Sequence, residues 1–278
     1  MKIIKKFSFV PVFLLVLILA SPQLQAQGKF EFGFHYTGWS LNIIKGMVEG
    51  QLDSMGEKMK DDMFEEILED NPSFIEDDFN QDYNFNSSGN NWGFEIRWYP
   101  RGHEGSFSIG LSVEKTSLEV GLDSMAIDLA MTDTDTDEQV SAQATGSGKF
   151  TYKPLSFHLH FRWDIKPSWR VRPYFTFGFG FAGLGDLKKA KIDFDANYTL
   201  NVPGEPTETD SISEHKTLEE LDNEREEGEE SIFDQVPFIP FVQMTLGIKG
   251  ELTKNVYLLV EGGVFNGMIY RGGLSFRF

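Results

Sequence analysis

Eight stretches of this chain alternate with period two, and in each the apolar residues keep to one side. Phe30, Phe32, Phe34 and Tyr36 interleave with Glu31, Gly33, His35 and Thr37, and Trp92, Phe94, Ile96 and Trp98 with Gly93, Glu95, Arg97 and Tyr99. The same rhythm runs from Phe107 to Glu114, Phe157 to Asp164, Tyr174 to Phe181, Val242 to Lys249, Val256 to Glu261 and Met268 to Phe278. Period two marks a strand whose two faces meet different surroundings. One face here is nearly all Phe, Val, Leu, Ile, Met and Trp. The other mixes Gly, Ser and Thr with charges of both signs. A soluble barrel would place its aliphatics inside and its charges outside. The reverse suits strands that cross a bilayer.

The inward set then holds Glu31, Glu95, Glu114, Asp164, Glu251 and Glu261, with Arg97, Arg162, Arg172, Lys249, Arg271 and Arg277. His35, His158 and His160 share that face, placed by counting from the turns near Glu95, Glu261 and Arg271. An unpartnered buried charge costs several kcal/mol, so both signs together imply a paired network. Eight strands leave a lumen just wide enough for side chains to fill, which predicts a salt-bridged plug.

The connections alternate too. Pro100 to Gly105, Lys166 to Trp169 and Thr253 to Asn255 are short and rich in turn formers. The first three opposite connections are long and acidic: Lys45 to Asp82, Asp123 to Glu138 and Glu205 to Asp234. The expected fold is an antiparallel, all-β transmembrane barrel of eight strands, or ten if its extensions count. Ser106–Thr132 and Glu138–Ile165 far exceed the ~9–11 residues needed to cross, so this hairpin should continue above the membrane. A similar extension is expected from Lys188 to Asn201. Ile44, Val48, Leu52, Met55, Met59, Met63 and Ile67 recur at helical spacing and predict an amphipathic helix in the first loop, packed over the barrel mouth. Trp98, Trp163 and Phe278 would form one aromatic girdle, and Tyr36, Trp39 and Trp92 the other.

Both ends of the chain agree with this fold. Lys2, Lys5 and Lys6 precede an apolar run from Phe9 to Ala20, followed by Leu24-Gln25-Ala26. That order reads as a secretory signal peptide over 1–26, with 27–278 as the barrel domain. The run is shorter than the ~20 residues of a spanning helix. At the other end, Arg271, Gly273, Phe276 and Phe278 stand in an alternating strand that stops on an aromatic residue. This pattern resembles the closing strand of small, eight-stranded bacterial outer-membrane β-barrel proteins. In that family the closing strand is the signal read by the barrel assembly machinery. The resemblance implies the outer membrane of a Gram-negative bacterium, with outer-membrane lipid and the assembly machinery as partners.

The formal net charge of −18 and its acidic blocks argue against nucleic-acid binding. There is no Cys, hence no lipid-attachment site and no disulfide. Clustered carboxylates suit weak divalent-cation binding at the loops, but Asp133-x-Asp135-x-Asp137 lacks the Gly and distal Glu of a tight calcium loop. His158-x-His160 could reach one metal from one strand face, yet no third ligand is specified. His103 falls in a short turn and His215 in an acidic loop. No nucleophile elbow, zinc motif or phosphate loop appears, and no cofactor is expected. The leading expectation is a monomeric barrel with a structural or surface-interaction role, not an enzyme. A narrow, porin-like channel for a small or apolar molecule is one alternative, and a lipid-modifying enzyme another.

Overall fold

The computed structural model describes residues 29–70, 73–102, 105–225, 231, 233 and 238–278, without the side chains of 59 and 62–70. The expected signal peptide lies outside the described residues, as does His103. Eleven strands follow one another: β1 (Lys29–Ser40), β2 (Phe74–Tyr99), β3 (Phe107–Asp133), β4 (Glu138–Tyr152), β5 (Leu155–Asp164), β6 (Val171–Gly183), β7 (Lys191–Asn201), β8 (Glu208–Thr217), β9 (Phe238–Thr253), β10 (Val256–Phe265) and β11 (Met268–Arg277). Three helices accompany them: α1 (Lys45–Asp70), α2 (Leu184–Lys188) and α3 (Leu218–Asn223).

Eight of these strands close a ring in the order β1-β2-β3-β5-β6-β9-β10-β11, every pairing antiparallel. The seam joins β1 to β11, where Phe30 and Phe278 exchange backbone hydrogen bonds of 3.0 and 2.9 Å. Phe278 also stacks on Phe32 at 5.3 Å. The outward face is apolar and exposed, with Phe34, Phe94, Val113, Phe157, Phe179, Met244, Leu246, Val260 and Phe276 in the belt. This is a transmembrane β-barrel.

Beyond the ring, β2 and β3 run on together and β4, β7 and β8 add to them, making a five-stranded arm ordered β2-β3-β4-β7-β8. β2 is 26 residues long and β3 is 27, so each crosses and then keeps going. Alternation continues into the arm, but its chemistry inverts. On β2 the lumen side passes from Arg97, Glu95 and Asn91 to Phe85, Tyr83 and Phe79. The outer side passes from Trp98, Phe94 and Trp92 to Asn86, Asn84 and Asp82. On β3 the lumen side turns apolar from Leu118 upward. The inversion marks where lipid outside the barrel gives way to water.

All three acidic connections are therefore partly sheet, the middle one through the ends of β3 and β4. Asp77, Asp78 and Asp82 lie on β2, and Glu208 to Thr217, with His215, forms β8. The third acidic block contains α3 as well, opened by a capping box in which Thr217 and Glu220 satisfy each other's backbone N–H. Only the tip between β3 and β4 is a tight turn. There Asp133 accepts from the Asp135 N–H at 3.0 Å and the Thr136 hydroxyl at 2.9 Å.

Helix α1 does not sit over the mouth. It runs along the β2 edge that β1 leaves unpaired above Gly89. Bare strand edges invite foreign pairing, and side chains close this one. The Phe85 N–H donates to Glu49 at 2.9 Å, and the Ser87 N–H donates to Asn42 at 3.0 Å. Farther along, Gln81 donates to the Asp53 carbonyl at 2.8 Å. Gly56 is buried where a Cβ would overlap Gln81. Ile44, Val48 and Leu52 are half-buried, whereas Met55 is exposed. The side chains of Met59, Met63 and Ile67 lie outside the described residues.

Candidate functional site

The strands bring the inward charges into three tiers inside the ring. Nearest the short turns, Arg277 grips Glu31 at 2.6 and 2.8 Å, and Lys249 reaches Asp164 at 3.0 Å and the Tyr99 hydroxyl at 2.8 Å. Arg172 meets Glu251 at 3.2 Å. In the middle tier Arg97 binds Glu95 through two hydrogen bonds of 2.8 and 2.6 Å, and His160 Nδ1 lies 3.0 Å from the same carboxylate. Arg162 stands between Glu95 and Glu261, 3.9 Å from each. In the upper tier Arg271 donates to Glu261 at 2.9 Å and to Thr37 at 2.9 Å, and lies 3.5 Å from Glu114. Glu114 also collects Ser112, Asn91 and His35, the last at 3.2 Å.

The residues expected in this network are buried inside the ring, except Glu251, which is half-buried at its short-turn end. The histidines lie among the groups counted from the turns, with His35 beside Glu95, Glu261 and Arg271 around one cavity, but their direct partners are set by the fold. His160 does reach Glu95, but His35 pairs with Glu114 across β2 and β3, and His158 meets Ser156 at 2.7 Å. His35 and Glu114 meet because Gly93 stands between them in the register, and a Cβ there would lie 2.7 Å from His35 Nε2 and 2.8 Å from Glu114 Cγ. Tight fit comes from missing side chains: a Cβ at Gly178 would stand 2.5 Å from His160 Cδ2, and one at Gly110 2.9 Å from Arg97.

Three inward tyrosines complete the packing. Arg277 lies over the Tyr99 ring at 3.6 Å, Arg162 over Tyr174 at 4.3 Å and Arg172 over Tyr257 at 5.1 Å. Cations stacked on ring faces in a dry site gain more than in water. Continuing the inward alternation identifies all three tyrosines in the sequence, although their role as shelves requires the fold.

Above the charges sits an apolar lid of Trp39, Tyr152, Ala182, Ala190, Phe241, Phe265 and Ile269. Phe241 and Phe265 stack at 5.3 Å with ring planes 4° apart, and both face the His158 ring. Trp39 Nε1 donates to the Phe265 carbonyl at 3.0 Å. Trp39 is thus a lid residue and not part of the girdle, because the β1 alternation turns it inward. Gly267, at φ 155°, carries the β10–β11 turn against its indole. Tyr36, Trp92, Trp163 and Phe278 do face outward.

The space left is small. The cavity between His35, Glu95, Arg162, Tyr174, Glu261 and Arg271 measures about 20 Å³, room for about one water molecule. No cluster of three metal-ligating side chains occurs among the described residues. Outside the lumen, His215 on β8 lies 3.0 Å from Asp193 and 3.2 Å from Ser213. The Ser213 hydroxyl donates to Asp195 at 2.6 Å, so its proton points away from the imidazole. The group stands exposed on an edge strand.

No family model and no curated protein sequence matches the chain. Among solved structures it is similar to the translocator domain of the autotransporter NalP from Neisseria meningitidis, at 7% identity over 99% of this chain and 98% of that one, with a TM-score of 0.24. It is similar to the KdgM porin at 9% identity over 72% and 96%, with a TM-score of 0.18. The transport unit of the autotransporter AIDA-I from Escherichia coli shares 7% identity over 90% and 89%, with a TM-score of 0.22. At such scores the strand pairing and the two faces carry the fold assignment, not these likenesses.

Proposed function

We propose that this chain is a monomeric outer-membrane β-barrel of a Gram-negative bacterium with a structural or surface-interaction role. The barrel is an anchor and the acidic five-stranded arm is what it presents outside the cell. In this reading residues 1–26 direct export, and Arg271, Gly273, Phe276 and Phe278 are read by the assembly machinery. The observation that carries it is the sealed lumen. Charges of opposite sign interlock through three tiers, the lid of Phe241, Phe265 and Trp39 covers them, and the cavity among them is about 20 Å³. A conducting path needs a continuous column of water, whereas the cavity among these side chains holds about one molecule. The same packing weighs against the channel reading, and the shielded histidines against a lipid-modifying enzyme. Weak divalent-cation binding at the acidic segments is retained as part of the proposal. Single-channel recording of the purified protein in planar bilayers tests it. The expected result is small or no conductance, and steady, large conductance would replace the anchor with a channel.

A further inference from the structure

The charge on the outer side of the arm is uneven in a way its acidity does not explain. Just above the lipid-facing belt on one flank, Lys115 on β3, Lys153 after β4, Lys189 after α2 and Lys191 on β7 come together. Thr151 pairs with Lys191, so Lys153 and Lys189 leave that pairing side by side. Between Lys189 and Lys191, Ala190 turns into the lid. Lys115 pairs with Leu155 and donates to the Lys153 carbonyl at 2.8 Å. None of these four ammonium groups has a carboxylate within ion-pair distance among the described residues, in a chain holding 43 Asp and Glu. The neighbouring acids are otherwise engaged: Glu119 lies 3.9 Å from Lys149, Asp186 accepts the Leu155 N–H at 2.8 Å, and Glu220, which Lys191 influences from beyond ion-pair distance, accepts the Thr217 N–H at 2.7 Å.

Position gives the patch its meaning. Val113 and Leu155, exposed to lipid, stand one outward step below Lys115 and Lys153, about 7 Å along each strand. Near the same level on the strands away from this patch, Gly38 on β1, Val264 on β10 and Tyr270 on β11 carry no charge. Unpaired ammonium groups held directly over an apolar belt match a molecule with an anionic head and acyl tails.

We propose that Lys115, Lys153, Lys189 and Lys191 form a binding surface for the phosphate headgroups of anionic lipid in the adjoining leaflet. The surface rests on the membrane reading given above. It fastens one flank of the barrel to anionic lipid and offsets the repulsion that the acidic arm would meet at such a leaflet. Charged headgroups near a surface lysine gain enough for roughly fivefold preference per contact, and this gain is screened by salt.

Trp92 pairs directly with Lys115 and faces lipid, so it reports on this flank. With Trp98, Trp163 and Trp169 changed to Phe, Trp92 is the lipid-facing emitter, and the remaining Trp39 is buried in the lid and out of lipid's reach. The folded protein would be placed in phosphatidylcholine bilayers containing a minor fraction of brominated lipid. Brominated phosphatidylglycerol is expected to quench Trp92 at least about fivefold more strongly, per mole, than brominated phosphatidylcholine. The preference should fall towards unity at high salt and in the variant K115Q/K153Q/K189Q/K191Q. K166Q, on the short-turn side, should keep it. Heat-modifiable gel mobility establishes that each variant is folded. Equal quenching by both lipids in the parent, or a preference that survives the fourfold change, overturns the lysine surface alone. No quenching by either lipid would instead reject the membrane location.

Discussion

At the scale of single residues, Arg271 shows what the lumen demands. Its guanidinium serves Glu261, Glu114 and Thr37 at once, and all four residues are buried. Arg271→Ala leaves Glu261 and Glu114 short of a cation and should destabilise the barrel by roughly 3–5 kcal/mol. Adding Glu261→Gln should restore part of the loss, and urea unfolding in detergent measures both. A single variant as stable as the parent would mean that water already enters the tier. The identity of the inward residues was legible because lipid outside forces a strict alternation on β1, β2, β5 and β11. Who meets whom was not, as His35 and Glu114 show. The outer turn offers a second residue. Asp133 is held below its ordinary value of 3.8 by the Asp135 backbone N–H first, then by the Ser73 and Thr136 hydroxyls. A carboxyl depressed on folding stabilises above its unfolded value and ceases to as pH falls through the lowered one. Protection of the Asp135 amide should therefore persist through the usual carboxylate range and fail only below it. Loss of protection at the ordinary value, read by NMR, would contradict the turn.

At the scale of elements, the closing strand and the edge helix divide assembly from protection. Phe278 pairs with Phe30 at the seam and stacks on Phe32, so its loss opens the ring where the first strand meets the last. Deleting Phe276 to Phe278 should sharply lower the folded fraction in cell envelopes, seen as lost heat-modifiable mobility. An undiminished folded band would count against the barrel's seam and its assembly role together. Helix α1 has a different task. Glu49→Ala removes the acceptor of the Phe85 N–H, and one such hydrogen bond is worth about 0.5–1.5 kcal/mol. Hydrogen exchange at Phe85 should then quicken by about 2- to 10-fold, with the ring strands unaffected. Unchanged exchange would show that Glu49 does not guard the edge. The heptad-like spacing of Ile44, Val48 and Leu52 revealed a helix in the sequence. Its resting place was hidden because polar side chains fix it, and these leave no periodic trace.

At the scale of the whole molecule, one chain satisfies two solvents by inverting a single pattern. In the belt β2 shows Phe94 to lipid and Glu95 to the lumen; in the arm it shows Asn84 outward and Phe85 inward. A reading that equates alternating apolar residues with the lipid face follows the strand to Trp92 and then sees acidic loop. The alternation of Phe79, Tyr83 and Phe85 was present in the sequence, but its sense had reversed. β8 was harder still, since it is almost wholly polar and owes its conformation to pairing with β7. The inversion also makes the sidedness of the proposed topology testable. The tip at Thr134 stands at the far end of the arm, and Ser168 lies in the turn between β5 and β6 at the opposite end of the barrel. Both positions are exposed, and the chain has no Cys to confuse the readout. If the arm is extracellular, a Cys at Thr134 should react with an impermeant maleimide on intact cells. A Cys at Ser168 should react only once the outer membrane is permeabilised. The reverse result would turn the barrel over and place the acidic arm in the periplasm. Reaction at both sites on intact cells would mean that no membrane separates them, and the anchor reading would fail.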